Sequence, residues 1–128
     1  MHLQEKTVGT EPIFDGKIIK VQRDQAELEN GAVVTRELVI HPGGVCIVPI
    51  NENGEVYLVK QFRYPFQEVL TEVPAGKLEF DKQSLDEDEF LDVIKVKLSD
   101  AVDMVLNGEI KDGKTQTALL LAARKLGI

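Results

Sequence analysis

The sequence predicts an α+β fold, with strands up to about Leu98 and two helices closing the chain. Three observations predict it. The turn pairs Asp15-Gly16 and Asn30-Gly31 punctuate runs rich in β-branched residues. Two further runs, Val45 to Ile50 and Glu55 to Tyr64, are joined by the turn Asn51-Glu52-Asn53-Gly54. Beyond Leu98 the apolar residues take up helical spacing, first at Ala101, Val102, Val105 and Leu106 and then at Ala118, Leu119, Leu121 and Ala122.

In order, the residues up to about Gly9 are polar and expected to fray. Ile13-Phe14, the turn Asp15-Gly16 and Lys17 to Arg23 form a predicted hairpin, and Asn30-Gly31 is the strongest two-residue turn before the strand Ala32 to Ile40. His41-Pro42-Gly43-Gly44 breaks the chain. Val45 to Ile50 is a continuous apolar run of the kind covered on both faces. Glu55 to Tyr64 alternates, which places Tyr57, Val59, Gln61 and Arg63 on one face. Glu68 to Val73 and Phe90 to Leu98 are the remaining predicted strands. Ser99 is the expected N-cap of a helix that Gly108 stops, and a last helix from about Thr115 to Lys125 sends Ala118, Leu119, Leu121, Ala122 and Leu126 toward the core.

Composition narrows the function classes. The chain has 128 residues, enough for one small domain, and its 43% apolar content excludes wholesale disorder. Its 22 acidic and 15 basic residues leave a net charge of −7, so it offers no general attraction for nucleic acid or anionic membrane. A phosphate-bearing ligand must be held by a few placed cations or a metal. One cysteine, Cys46, excludes an internal disulfide framework and suits a reducing compartment. No apolar run spans a bilayer and the first residues lack a signal peptide's apolar core, so the expected location is the cytoplasm.

The stretch Glu72-Val73-Pro74-Ala75-Gly76-Lys77-Leu78-Glu79 resembles the point where the sheet of a Nudix hydrolase meets its catalytic helix, in the form that opens the Nudix box of the ADP-ribose pyrophosphatases. The box reads G-x5-E-x7-R-E-U-x-E-E-x-G-U, with U apolar. Started at Gly76, it fails at every later charged and glycine position: Lys82 replaces the first Glu, Phe90 and Leu91 replace Arg-Glu, Ile94 and Lys95 replace the paired glutamates, and Lys97 replaces the second Gly. The family pattern resumes at Leu85-Asp86-Glu87-Asp88-Glu89-Phe90. Several tens of residues, box included, are therefore expected to be missing between about Leu78 and Asp81.

The resemblance implies a single truncated Nudix-like domain over 1–128, with a mixed or antiparallel sheet and without its catalytic helix and the adjoining strands. Residues 1–42 are then an N-terminal antiparallel sheet that pairs with a second subunit in a homodimer, and 43–128 the remaining core. The implied family activity is magnesium-dependent hydrolysis of ADP-ribose, or a related nucleoside diphosphate sugar, to AMP and a sugar phosphate. The box glutamates are the oxygen ligands a hard cation needs, so the chain as written is expected to turn over negligibly and not to hold Mg2+. The alternative is a noncatalytic dimerisation or nucleotide-binding module. Loss of the box also predicts uncovered apolar sheet surface that favours association.

By the same resemblance, Arg36 and Arg63 match positions that bind phosphate or ribose oxygens, Glu72 orients such an Arg, and the Ala75 carbonyl reaches the metal. Glu87 and Glu89 match a loop whose glutamate helps to activate the attacking water. Plainer readings stand beside these: strand-face cations in water, a loop cap, a bend, and a solvated acidic loop. Gly108-Glu109-Ile110-Lys111-Asp112-Gly113-Lys114-Thr115 also satisfies the phosphate-loop pattern G-x-x-x-x-G-K-[ST]. It follows helical rather than strand spacing, and Glu109 and Asp112 would repel a polyphosphate, so it is read as accidental. His41 and Cys46 have no partner at ligand spacing and are read as structural.

Overall fold

The computed structural model describes residues 3–76 and 91–128. It divides into two compact units, Met1–Gly43 and Gly44–Ile128. The expected catalytic pair Glu87 and Glu89, with Lys77 to Glu79 of the motif, lies outside the described residues.

The first unit is a three-stranded antiparallel sheet in the order β1-β2-β3, formed by β1 (Lys6–Asp15), β2 (Lys20–Glu27) and β3 (Val33–Ile40). The expected frayed start is corrected: Lys6, Thr7 and Gly9 pair with Glu27, Ala26 and Gln25, so their backbone is held by a ladder that polar composition does not reveal. Pro12 sits on edge strand β1, where a missing N–H is tolerated, and the register shifts on either side of Val8 and Ile13. The Asn30-Gly31 turn is longer than a two-residue hairpin. Gly31 N–H donates to Leu28 O at 2.9 Å and Leu28 N–H donates to Ala32 O at 2.8 Å, while Gly31 alone takes a positive φ of 80°. A turn followed by a left-handed glycine suits Asn30 in an ordinary conformation. Only Asp24 and Ala26, on one face of the central strand, are buried among the described residues of this unit, and Phe14, Val33 and Val39 share the opposite face in the open.

The second unit is built on β5 (Glu55–Arg63), which lies between β6 (Glu68–Glu72) and β8 (Leu91–Lys97) with both pairings antiparallel. Strand alternation sends Val56 and Leu58 fully inside, where they pack with Val73, Leu98, Ala101, Ile110, Leu119 and Ala123. Two helices supply the other side of this core, α1 (Leu98–Leu106) and α2 (Gly113–Leu126). The opposite sheet face and the sheet's far end leave Tyr57, Phe62, Val69 and Val93 exposed.

Several expectations change here. Val45 to Ile50 is not a doubly covered strand: β4 is only Val45–Cys46, it pairs with the equally short β7 (Ala75–Gly76), and Val45, Cys46, Ile47 and Ile50 are exposed. A continuous apolar run carries no signal for how many partners it will find. Ser99 is not the N-cap of α1. Strand β8 runs directly into the helix, Lys97 takes the cap position without a side-chain bond, and buried Leu98 anchors the first turn with its N–H on Gly54 O at 3.0 Å. The stop at Gly108 holds: its φ of 77° turns the chain so that Glu109 N–H reaches Met104 O at 2.9 Å. Helix α2 begins earlier than expected, capped by Asp112, and rotates Leu121 and Leu126 outward while Thr115, Leu119 and Ala123 face the core. Among the described residues no helix is long and apolar enough to cross a membrane.

Candidate functional site

Arg63 and Glu72 share one face of the β5–β6 pair, because Val59 stands opposite Glu72 and Arg63 opposite Glu68. Arg63 does not bond its cross-strand neighbour. It reaches along the face to Glu72, with Nε donating to Oε1 at 2.8 Å and Nη2 donating to Oε2 at 2.6 Å. The Glu72 side chain is 4% exposed and that of Arg63 34%. A desolvated carboxylate requires such a partner, and the two-pronged geometry fixes the guanidinium plane. Glu68 is taken instead by Lys111, at 2.7 Å.

The bend after Glu72 is pinned residue by residue. Val73 N–H donates to the hydroxyl of Thr115 at 3.0 Å, Pro74 O accepts from Ile47 N–H at 2.9 Å, and Ala75 stands opposite Cys46 in the β4–β7 pair. The Pro74 carbonyl is thus engaged within the fold. Thr115 in turn donates to Asp112 Oδ2 at 2.7 Å, and its own N–H bonds the same oxygen at 2.8 Å. Burial pushes the Asp112 carboxyl up, but these two bonds and the charge of Lys114 outweigh it and leave the group below its ordinary value.

In the first unit Arg36 makes its own two-pronged pair with Glu5, Nε to Oε2 at 3.0 Å and Nη2 to Oε1 at 2.7 Å. The hydrogen bond from Arg36, followed in size by the opposing effect of desolvation, sets the Glu5 carboxyl below the usual glutamate range, and the Arg36 guanidinium is raised correspondingly. His41 Nδ1 accepts from Gly43 N–H at 2.9 Å within its own turn. Thr115 and Asp112 form a bonded pair that the phosphate-loop pattern over Gly108 to Thr115 masks in the sequence. Gly108 follows helix α1, not a strand, and Asp112 with Thr115 three residues on is a helix N-cap, a signature visible in the sequence.

Magnesium requires several oxygen ligands. Among the described residues no three His, Cys, Asp or Glu side chains stand together in a way that suits a metal, and the Ala75 carbonyl by itself is not a donor set. The described residues do not fit a divalent cation.

Residues 5–39 match the family described as the nucleoside diphosphate sugar hydrolase N-terminal domain. The ADP-ribose pyrophosphatase of Bacillus subtilis is 31% identical over 169 aligned positions, covering 91% of this chain and 91% of that protein. The chain belongs to the Nudix family, on its ADP-ribose pyrophosphatase-like branch. Two other relatives match shorter stretches. The methanol dehydrogenase activator of Bacillus methanolicus is 45% identical over 76 residues, 59% of this chain and 41% of its own length. The ADP-ribose pyrophosphatase of Mycobacterium tuberculosis is 39% identical over 74 residues, 58% of this chain and 36% of its own length. A crystal structure of an ADP compounds hydrolase superposes with a TM-score of 0.84 at 13% identity, over 99% of this chain and 96% of that one, so the fold is Nudix-like.

Proposed function

We propose that this chain is a Nudix scaffold of ADP-ribose pyrophosphatase descent that has lost the segment carrying its metal ligands, and that it does not hydrolyse ADP-ribose. One observation carries the reading. The glutamate positions of the box after Gly76 are occupied by Lys82, Leu91, Ile94 and Lys95, none of which binds a hard cation, and the alignment with the Bacillus subtilis enzyme runs over 169 positions where this chain has 128 residues, so at least 41 positions of that alignment have no counterpart here. A hard cation without clustered carboxylates is not retained, and without the cation neither the attacking water nor the developing phosphate charge is stabilised.

The capacity that remains is noncatalytic. Arg63, oriented by Glu72, is the group we assign to phosphate or ribose oxygens of an ADP-ribose-like ligand, since a planar guanidinium offers them paired donors. Arg36 has the same chemistry but is already engaged by Glu5. Homodimerisation through the β1-β2-β3 sheet is supported by Phe14, Val33 and Val39, which lie exposed on one of its faces.

The deciding experiment incubates the purified chain with ADP-ribose and excess magnesium and follows AMP release. No release above the buffer control is expected; steady turnover that a chelator abolishes would refute the reading. Calorimetry with ADP-ribose, with and without magnesium, then reports whether the noncatalytic role is binding: weak, metal-independent heat is expected.

A further inference from the structure

We propose that the Thr115 hydroxyl is a positioning group for the Arg63–Glu72 pair, acting through the Val73 amide with Asp112 as the terminal acceptor. The inference deepens the assignment of Arg63 to a ligand and rests on that assignment only for its consequence in binding.

The argument starts where the β5–β6 ladder ends. Glu72 is the last residue of β6 paired with β5, and the two residues after it are Val73 and Pro74. Proline has no N–H to donate, so the Val73 amide is the last main-chain donor available to fix the chain leaving Glu72 before Ala75 enters the pair with β4. That amide is buried, with Val73 2% exposed, and its acceptor is the fully buried Thr115, 42 positions away in sequence.

Accepting from Val73 leaves Thr115 one proton to donate, and it goes to Asp112 Oδ2. The direction of the relay is therefore set: main-chain N–H to hydroxyl, hydroxyl to carboxylate. A charged acceptor strengthens the chain of bonds, and the Thr115 hydroxyl bond is one of the interactions, with the Thr115 N–H and Lys114, that lower the Asp112 carboxyl against its burial. The other end of β6 is held by the same stretch of chain, through Lys111 on Glu68. The segment from Lys111 to Thr115 thus grips β6 at both ends, and both oxygens of Glu72, the residue between those grips that faces Arg63, are committed to the guanidinium. A displacement of Val73 moves Glu72 and, through it, the plane of Arg63. A threonine that served only the start of the helix would need Asp112 alone as its partner, whereas this one also accepts from the neighbour of Glu72.

The test uses the Arg63 Nε–H resonance of the whole chain, whose exchange with water reports the pair directly. In T115V, which keeps the shape of the side chain and removes the hydroxyl, exchange of that proton is expected to accelerate about tenfold, and T115S is expected to restore it. D112N supplies the second variant. Asparagine caps a helix as well as aspartate but is a neutral acceptor, so loosening of the Arg63 signal with little change in melting temperature is expected. If T115V or D112N folds and lowers the melting temperature while the Arg63 signal stays as in the wild type, Thr115 serves only the start of the helix and the proposal fails. Titration with ADP-ribose separates the two readings. A chain that takes up no ADP-ribose but whose Arg63 signal answers to T115V refutes the ligand assignment and supports the positioning role.

Discussion

The carboxylate of Glu72 grips the guanidinium of Arg63 with both oxygens, at 2.8 and 2.6 Å, although the residue directly across the sheet from Arg63 is Glu68. The preference follows from burial. Glu72 is almost wholly removed from water, while Glu68 is more exposed and has Lys111. The buried carboxylate is the one that cannot be left alone.

The pair should break asymmetrically. R63M leaves a desolvated charge without a partner and is expected to cost about 3 kcal/mol in urea unfolding with an unchanged m-value. E72Q leaves a guanidinium that is a third exposed and reaches solvent, so its cost is expected to be about half as large. Equal losses would mean that the environment of Glu72 is wetter than its exposure indicates.

Helix α2 makes a sharp distinction between two leucines two residues apart. Leu119 is fully buried and Leu121 is 65% exposed. L119A is expected to destabilise by about 3 kcal/mol through lost contacts and a cavity, and L121A by no more than about 0.5 kcal/mol. Thermal unfolding of the two variants side by side checks the rotation of the helix.

The Glu5–Arg36 pair is exposed, and its partners shift each other in opposite directions. Glu5 sits below the ordinary glutamate value, so whatever it contributes to stability is present above that value and is lost as pH falls through the lowered folded one. In R36M the Glu5 carboxyl is expected to return toward the ordinary range in a carbon-detected pH titration. An unchanged midpoint would show that Arg36 is not its partner in solution.

Asp112 combines a cap with an internal bond. D112A removes both and is expected to cost about 1–2 kcal/mol at neutral pH. Because the folded carboxyl lies below the ordinary aspartate value, the stability gap between wild type and D112A should be flat at neutral pH and close only in acid, as Asp112 protonates. A gap that widens on acidification would contradict the arrangement seen at Thr115.

The strand runs and turn residues determined much of this protein without reference to its tertiary contacts. Asp15-Gly16, Asn30-Gly31 and Gly108 mark changes of direction because short-range backbone sterics act within a few residues, and alternation placed Arg63 on the face of Tyr57, Val59 and Gln61 for the same reason. The motif around Pro74-Ala75-Gly76 carried the resemblance to the family, and the absence of glutamates at the box spacing after it is legible in the order of residues once that resemblance is drawn. What lay beyond reach depended on partners distant in the chain. Strand β1 starts at Lys6 because β2 is there to pair with it, Cys46 is exposed because β4 finds only a two-residue partner, and Leu121 faces outward because the phase of α2 is set by Asp112 and by Thr115 meeting Val73. Such pairings are chosen by the free energy of burying and satisfying groups that the fold itself brings together, and no local pattern encodes that choice.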